Sequence, residues 1–178
     1  IPEFTEIFVK KITLRNISVE SIVGEFQVGE TITKGSAPNT TTAVVFTVDG
    51  GLVSVGPSTL NGTGTEFTDG DSIASASSSG TISTGGVAAG ADKFIFSTTT
   101  AGGTYNTFSK LGLSFFDDRA YRFNTSDSSM SGADFKLSTT VNGLWGPDGL
   151  AASDPSDAGD AGTEYTTQKT TNGTAGSS

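Results

Sequence analysis

Gly24-Glu25-Phe26-Gln27-Val28-Gly29-Glu30-Thr31-Ile32 is a pattern that the chain repeats as Thr65-Glu66-Phe67-Thr68-Asp69-Gly70-Asp71-Ser72-Ile73. Both copies share Glu-Phe, two variable residues, Gly, an acid, a hydroxyl residue and Ile. This order predicts a strand end, a tight turn and a new strand. The glycine of each copy can adopt the positive φ that such a turn needs, while the Phe anchors the turn in a core and the Ile resumes the inward alternation. The predicted structural corners are Phe26, Gly29, Ile32, Phe67, Gly70 and Ile73.

A duplicated hairpin corner indicates small β units placed in series. We therefore expect an all-β fold with two small β-sandwich or barrel-like units and an extended C-terminal tail. The predicted boundaries are 5–84 for a duplicated-hairpin domain, 85–92 for a Gly/Ala linker, 93–145 for a second β unit and 146–178 for an acidic Gly/Ser/Thr tail. Residues 1–4 fit either a cloning scar or a lead-in to the first strand, and residues 34–39 are loop-like by composition.

The composition excludes several classes of chemistry. The 178 residues contain no Cys and no His, which removes thiolate chemistry and the commonest general base and metal ligand. Ten Lys and Arg face 19 Asp and Glu, for a net charge of −9. Such a surface repels nucleic acids and anionic membranes, so we expect neither as a partner.

Three groups of residues could carry chemistry, and each has a simpler interpretation. Asp154, Asp157 and Asp160 could attract calcium, but their spacing is not that of a calcium loop and favours a solvated acidic segment. Asp117 and Asp118 could form a carboxylate pair, but they directly follow Leu113-Ser114-Phe115-Phe116, which favours a hairpin corner. Four aromatic residues could stack on sugars, or serve as core and interface residues: Tyr105, Tyr121, Trp145 and Tyr165. We predict no catalytic residues, no cofactor, no metal and no enzymatic activity.

The repeated corners resemble a known family. Phe8-Val9-Lys10-Lys11-Ile12-Thr13, followed by the stretch from Gly24 to Thr33, resembles the G-x-F-x-x-G-E-x-I-x-G β-modules of tailed-phage structural proteins. Asn61-Gly62-Thr63-Gly64-Thr65-Glu66-Phe67 with Gly70-Asp71-Ser72-Ile73 is similar to the companion G-x-G-T-x-F…G-D-x-I pattern. These modules occur in tail fibres and baseplate-associated proteins, notably of cyanobacterial and marine phages. The chain departs from the pattern at residues 34–39, where the family has a Gly-Thr-Ser-Gly-like turn.

The resemblance implies a virion structural protein: a fragment of a phage tail, fibre, baseplate or neck component that forms homo-oligomers and contacts other virion proteins. Two alternatives stay open, a secreted extracellular adhesin or surface-filament module and a non-catalytic part of a polysaccharide-binding tailspike, with a host surface glycan as a further partner. Residues 146–178 cannot bury enough apolar surface to fold alone. We therefore expect the tail to lie against neighbouring subunits, with Trp145 and Tyr165 as assembly anchors.

Overall fold

The computed structural model describes residues 4–98, 115–116, 118–133, 135–137 and 165–177. The chain forms two compact units, Ile1–Asn124 and Thr125–Ser178. The described residues of the first unit form eight strands: β1 Phe4–Gly24, β2 Thr31–Ser36, β3 Asn39–Asp49, β4 Leu52–Val55, β5 Thr59–Leu60, β6 Ser72–Ala74, β7 Ser78–Ser97 and β8 Ala120–Asn124. The helical content of the described residues is one short 3-10 turn, Ser128–Met130. No described helix has the length and apolar character of a membrane span. The fold is all-β, as the sequence predicted.

Six strands of the first unit close into a ring. The order is β1-β4-β3-β2-β6-β7 and back to β1, and every neighbouring pair is antiparallel. The two strands outside the ring lie at its margins: β5 pairs with β3, and β8 runs parallel to the beginning of β1. The turn at Asp49-Gly50 joins β3 to β4, and Gly50 has a φ of +57°, as is typical of an Asp-Gly hairpin turn.

One apolar core fills the ring, and both repeats contribute to it. Phe26 and Ile32 from the first repeat lie in the same buried cluster as Phe67 and Ile73 from the second. The other buried members are Ile17, Val19, Ala43, Val45, Val53, Val55 and Ile82. A smaller cluster of Leu14, Phe46 and Ile95 packs separately. The two corners are therefore halves of a single folded unit.

The predicted Gly/Ala linker at 85–92 is wrong, because this segment lies inside β7 and pairs with β1. The physical reason is close approach of the two backbones. A Cβ at Gly86 would lie 2.9 Å from the carbonyl oxygen of Ser18, and one at Gly90 would lie 3.0 Å from that of Leu14. Gly85 has a φ of +70°, in a part of the β1–β7 pairing that contains irregular register. Here glycine marks bulges and tight contacts in a strand.

The second unit is described over short stretches. Met130, in the 3-10 turn, is fully buried, and the Asp127 carboxylate accepts the Ser129 N–H at 3.0 Å. The end of the chain makes backbone hydrogen bonds to this region: Tyr165 N donates to Leu137 O at 2.8 Å, and Gly176 N donates to Thr125 O at 2.8 Å. Residues 165–177 thus contact their own chain, a finding that the sequence did not predict.

Candidate functional site

The repeated motif forms two turns with the same hydrogen bonds. We call residues 24–32 corner 1 and residues 65–73 corner 2. In corner 1, Glu30 N donates to Gln27 O at 3.2 Å, and Gln27 N donates to the Glu30 carboxylate at 3.4 Å. In corner 2, Asp71 N donates to Thr68 O at 3.2 Å, and Thr68 N donates to the Asp71 carboxylate at 2.6 Å. The acid that ends the turn therefore also caps it.

Each corner docks on a neighbouring strand in the same manner. Gly29 N donates to Val45 O at 2.9 Å, and Val45 N returns a bond to Glu30 O at 2.8 Å. In corner 2, Gly70 N donates to Ile82 O at 2.8 Å, and Ile82 N returns a bond to Asp71 O at 2.9 Å. The two glycines have φ values of +96° and +79°, in the region that the pattern required of them. The four side chains that the pattern places in the core, Phe26, Ile32, Phe67 and Ile73, are at most 3% exposed.

The segment that follows each corner supplies side-chain bonds to the other corner, and we call these the cross-corner bonds. Lys34 lies in β2, directly after corner 1. Its ammonium donates to the Asp71 carboxylate at 2.6 Å and to Glu66 O at 2.8 Å. Beyond β6, Ser77 Oγ lies 2.7 Å from the Glu30 carboxylate and 2.7 Å from Glu25 O. Each corner thus has its acid and its Glu carbonyl bridged by one side chain from the other repeat.

The two repeats are related by an approximate two-fold arrangement. Thr33 follows the Ile of corner 1 and Ala74 follows the Ile of corner 2, and these two equivalent residues face each other where β2 pairs with β6. Lys34 and Ser75 are likewise equivalent in sequence, and each binds the acid of the opposite corner, Ser75 Oγ at 2.7 Å from the Glu30 carboxylate. The joint between the repeats is therefore self-complementary.

The cross-corner bonds also set the acidity of both carboxyl groups. Hydrogen bonds from Ser75 and Ser77 hold the pKa of Glu30 below its usual range. Burial raises the pKa of Asp71, but the hydrogen bond from Lys34, the two Thr68 donors and the charge of Lys34 together lower it by more. Both groups are therefore carboxylates at neutral pH, as acceptor-only side chains at these positions must be.

The segment before corner 2, residues 61–65, is tied to the beginning of β3. Asn61 N donates to Thr40 O at 2.8 Å, and Thr63 N donates to the Asn39 side-chain oxygen at 2.9 Å. The fully buried Thr41 hydroxyl donates to Thr65 O at 2.6 Å. A Cβ at Gly64 would lie 2.5 Å from Thr40 O. Close backbone approach explains why the Gly-x-Gly-Thr pattern needs its glycines here.

An open depression of about 620 Å³ lies beside corner 2. Its charged groups are Arg15 and Glu66, whose Nη1 and Oε2 atoms form a 2.6 Å ion pair at the surface. The remaining lining is formed by small and apolar residues such as Leu14, Gly56 and Ala88. The described part of the chain contains no group of three or more acids that could hold a metal ion. The depression offers one neutralised ion pair and no acid–base pair.

Several residues singled out from the sequence lie outside the described residues: Tyr105, Asp117, Trp145, Asp154, Asp157 and Asp160. Tyr121 belongs to a small aromatic group in which its ring meets Phe115 edge-on at 4.9 Å, and its hydroxyl accepts the Phe116 N–H at 2.9 Å. Asp118 lies near Arg119, with 3.8 Å between Oδ1 and Nε and both side chains largely exposed. The Tyr165 side chain is 42% exposed within this chain, so its predicted role as an anchor against a neighbour stays a prediction.

Sequence reasoning missed the residues that join the corners. It assigned Lys34 to a loop, yet Lys34 lies in β2, and it gave no role to Ser75 or Ser77. The available signal was position: Lys34 and Ser75 each stand two residues after the Ile of their repeat. Comparison of the chain with family models, with curated proteins and with solved structures gives no match.

Proposed function

We propose that the chain is a structural module of a bacteriophage particle, part of a tail, fibre, baseplate or neck protein that assembles with further copies and with other particle proteins. The observation that carries the proposal is the set of bonds made by polar residues within the repeated motif and directly after it. Glu30, Asp71, Lys34 and Ser77 all bind one another or the backbone across the corners. Side chains that make such bonds stabilise the fold, which is the role expected of a structural module.

The direction of the carboxyl pKa shifts supports a non-enzymatic role. Acid–base catalysis without histidine needs a pair of carboxyl groups in a cleft, one of them with a raised pKa. The acids with a resolved pKa shift in the described residues are Glu30, Asp71 and Asp92, and the shift is downward in all three. Lowered values suit carboxylates that accept structural hydrogen bonds.

The resemblance of the two corners to phage β-modules supports the placement in a virion. It concerns the same Gly, Phe, acid and Ile positions that form the turn bonds and the core. Localisation in the virion is accordingly part of the proposal, and an extracellular adhesin is the competing assignment.

The test has two arms. The first reads the complete open reading frame and its neighbours: genes for capsid or tail parts support the virion role, whereas a secretion signal with no such neighbours supports the adhesin and overturns it. The second arm measures the mass of the purified chain by light scattering across a concentration series, together with glycan-release assays. Oligomers without sugar turnover are expected. Glycan release by the purified chain would instead show an enzyme.

A further inference from the structure

The joint between β2 and β6 is the shortest in the ring. It pairs Thr33 with Ala74 and Lys34 with Ile73, whereas β2 pairs with β3 along its full length from Thr31 to Ser36. The other joints of the ring connect hairpin neighbours or run along the long strands β1 and β7. The ring is therefore closed at its weakest backbone pairing, and the cross-corner bonds reinforce that place.

Opening this joint leaves every other strand pair intact. The ring then becomes an open antiparallel sheet in the order β2-β3-β4-β1-β7-β6, with β2 at one edge and β6 at the other. Exposed edges of this kind are templates for pairing with another chain. One edge carries the Lys34 ammonium, and the other lies next to the Asp71 carboxylate that binds it.

The edges fit a second copy of the same chain. Because Thr33 and Ala74 occupy equivalent positions and face each other, the pairing is self-complementary. Two opened sheets can join β2 to β6 twice around a two-fold axis. The interface of such a dimer is isologous. Each β2–β6 residue pair and each cross-corner bond of the closed ring then forms between the two copies.

We propose that the β2–β6 joint is the assembly contact of this protein: made within one chain it closes the ring, and made between chains it joins a second copy. The inference rests on the proposed assembly function and names its partner and its residues. Closure within one chain is favoured in dilute solution, since the two edges are tethered and have a high effective concentration. Exchange between copies is favoured at the high local concentration of a growing particle.

Cysteine cross-linking tests the proposal, because the chain has no cysteine of its own. Thr33→Cys and Ala74→Cys are made as separate proteins, mixed in urea, refolded together at high concentration and oxidised. The expected product is a disulfide-linked heterodimer on a non-reducing gel. The matched control is Ser18→Cys with Leu52→Cys, which also face each other across an antiparallel pair, between β1 and β4. This control pair should give several-fold less heterodimer.

The double variant Thr33→Cys/Ala74→Cys in one chain verifies the geometry. It should form an internal disulfide, run as a monomer and no longer exchange with a second copy. Circular dichroism of each variant establishes that the chain is folded before oxidation. If the Thr33/Ala74 mixture gives no more heterodimer than the Ser18/Leu52 mixture, the proposal is overturned. Light scattering of the unsubstituted chain then reports separately whether it assembles through another surface.

Discussion

Corner 1 and corner 2 share one backbone design and differ in the chemistry that joins them. The turn bonds and the docking bonds agree between the corners, but Glu30 is held by two serine hydroxyls and Asp71 by an ammonium. The backbone bonds of the turns and the side-chain bonds between the corners therefore tolerate different degrees of change. Gly, Phe and Ile determine the path of the chain, while the cross-corner bonds need only a donor of suitable reach.

The donors are unequal in capacity. The Ser77 hydroxyl has one proton and two acceptors at 2.7 Å, so it can donate to only one of them at a time. The Lys34 ammonium has three protons and three acceptors within 3.1 Å, namely Thr65 Oγ1, Glu66 O and Asp71 Oδ2. The Lys34 side chain can therefore donate to all three of its acceptors at corner 2, whereas the acceptors at corner 1 need a proton from Ser75 as well as from Ser77.

The largest expected effect comes from removing either aromatic anchor. Phe26→Ala and Phe67→Ala each remove a ring from the common core, so each should lower the free energy of unfolding by about 3–5 kcal/mol, measured by denaturant titration. The exposed Leu60, truncated to Ala in the same way, serves as the control and should change stability by less than about 0.5 kcal/mol.

Hydrogen exchange in the Phe26→Ala variant tests whether the corners share one core. Amide protection should fall at Gly70 of corner 2 and its β7 partner Ile82 as well as at Gly29 of corner 1 and its β3 partner Val45, because both Phe side chains lie in one cluster. Loss of protection confined to corner 1 would contradict the common core.

The next effect separates the two kinds of cross-corner bond. Lys34→Met removes the ammonium from three acceptors, of which Asp71 keeps its two Thr68 donors. It should lower the free energy of unfolding by about 1–2 kcal/mol, the range for hydrogen bonds to charged groups reduced by partial exposure to solvent. Ser77→Ala should lower the free energy of unfolding by less than Lys34→Met does, since Ser75 still donates to Glu30. Added salt should weaken only the Lys34 contribution. Equal costs with equal salt dependence would show that the corners do not differ.

Moving the charge from one corner to the other sharpens the comparison further. Lys34→Ser/Ser75→Lys places the ammonium at the equivalent position of the second repeat, within reach of Glu30. The double variant should be more stable to denaturant than Lys34→Ser alone, because the new ammonium can bind the Glu30 carboxylate that Ser75 contacts. The control is Lys34→Ser/Ser79→Lys, because Ser79 lies on β7 opposite Val23. Equal recovery in both double variants would indicate a general charge effect and not the two-fold arrangement.

The fold was predictable where residues act through their own backbone preferences. Gly29, Gly70, Phe26 and Phe67 carry their roles locally, as turn and core signals that a single sequence displays. The closing of both repeats around one core was not predictable, because it depends on pairing between β2 and β6, which are far apart in the chain. The linker prediction for residues 85–92 was wrong for a related reason. The glycines there lie close to the backbone of β1, and composition alone cannot distinguish close approach from flexibility.

The smallest expected effect is a difference in acid sensitivity. Both Glu30 and Asp71 have a lowered pKa in the folded state, so each binds a proton more weakly when folded than when unfolded. Their contribution to stability is therefore complete above the unfolded pKa values of about 4 and is lost as the pH falls through the lower folded values.

Unfolding midpoints measured from pH 6 to pH 3 should fall for the unsubstituted chain, and fall less for Glu30→Gln and Asp71→Asn, which cannot titrate. Lys34→Met should flatten the profile further than Ser77→Ala, because the ammonium supplies both a hydrogen bond and a charge to Asp71, whereas a hydroxyl supplies only a hydrogen bond to Glu30. Identical profiles for all five proteins would mean that neither carboxylate is bound more tightly in the folded chain than in the unfolded one, and the cross-corner bonds would then be incidental to closing the ring.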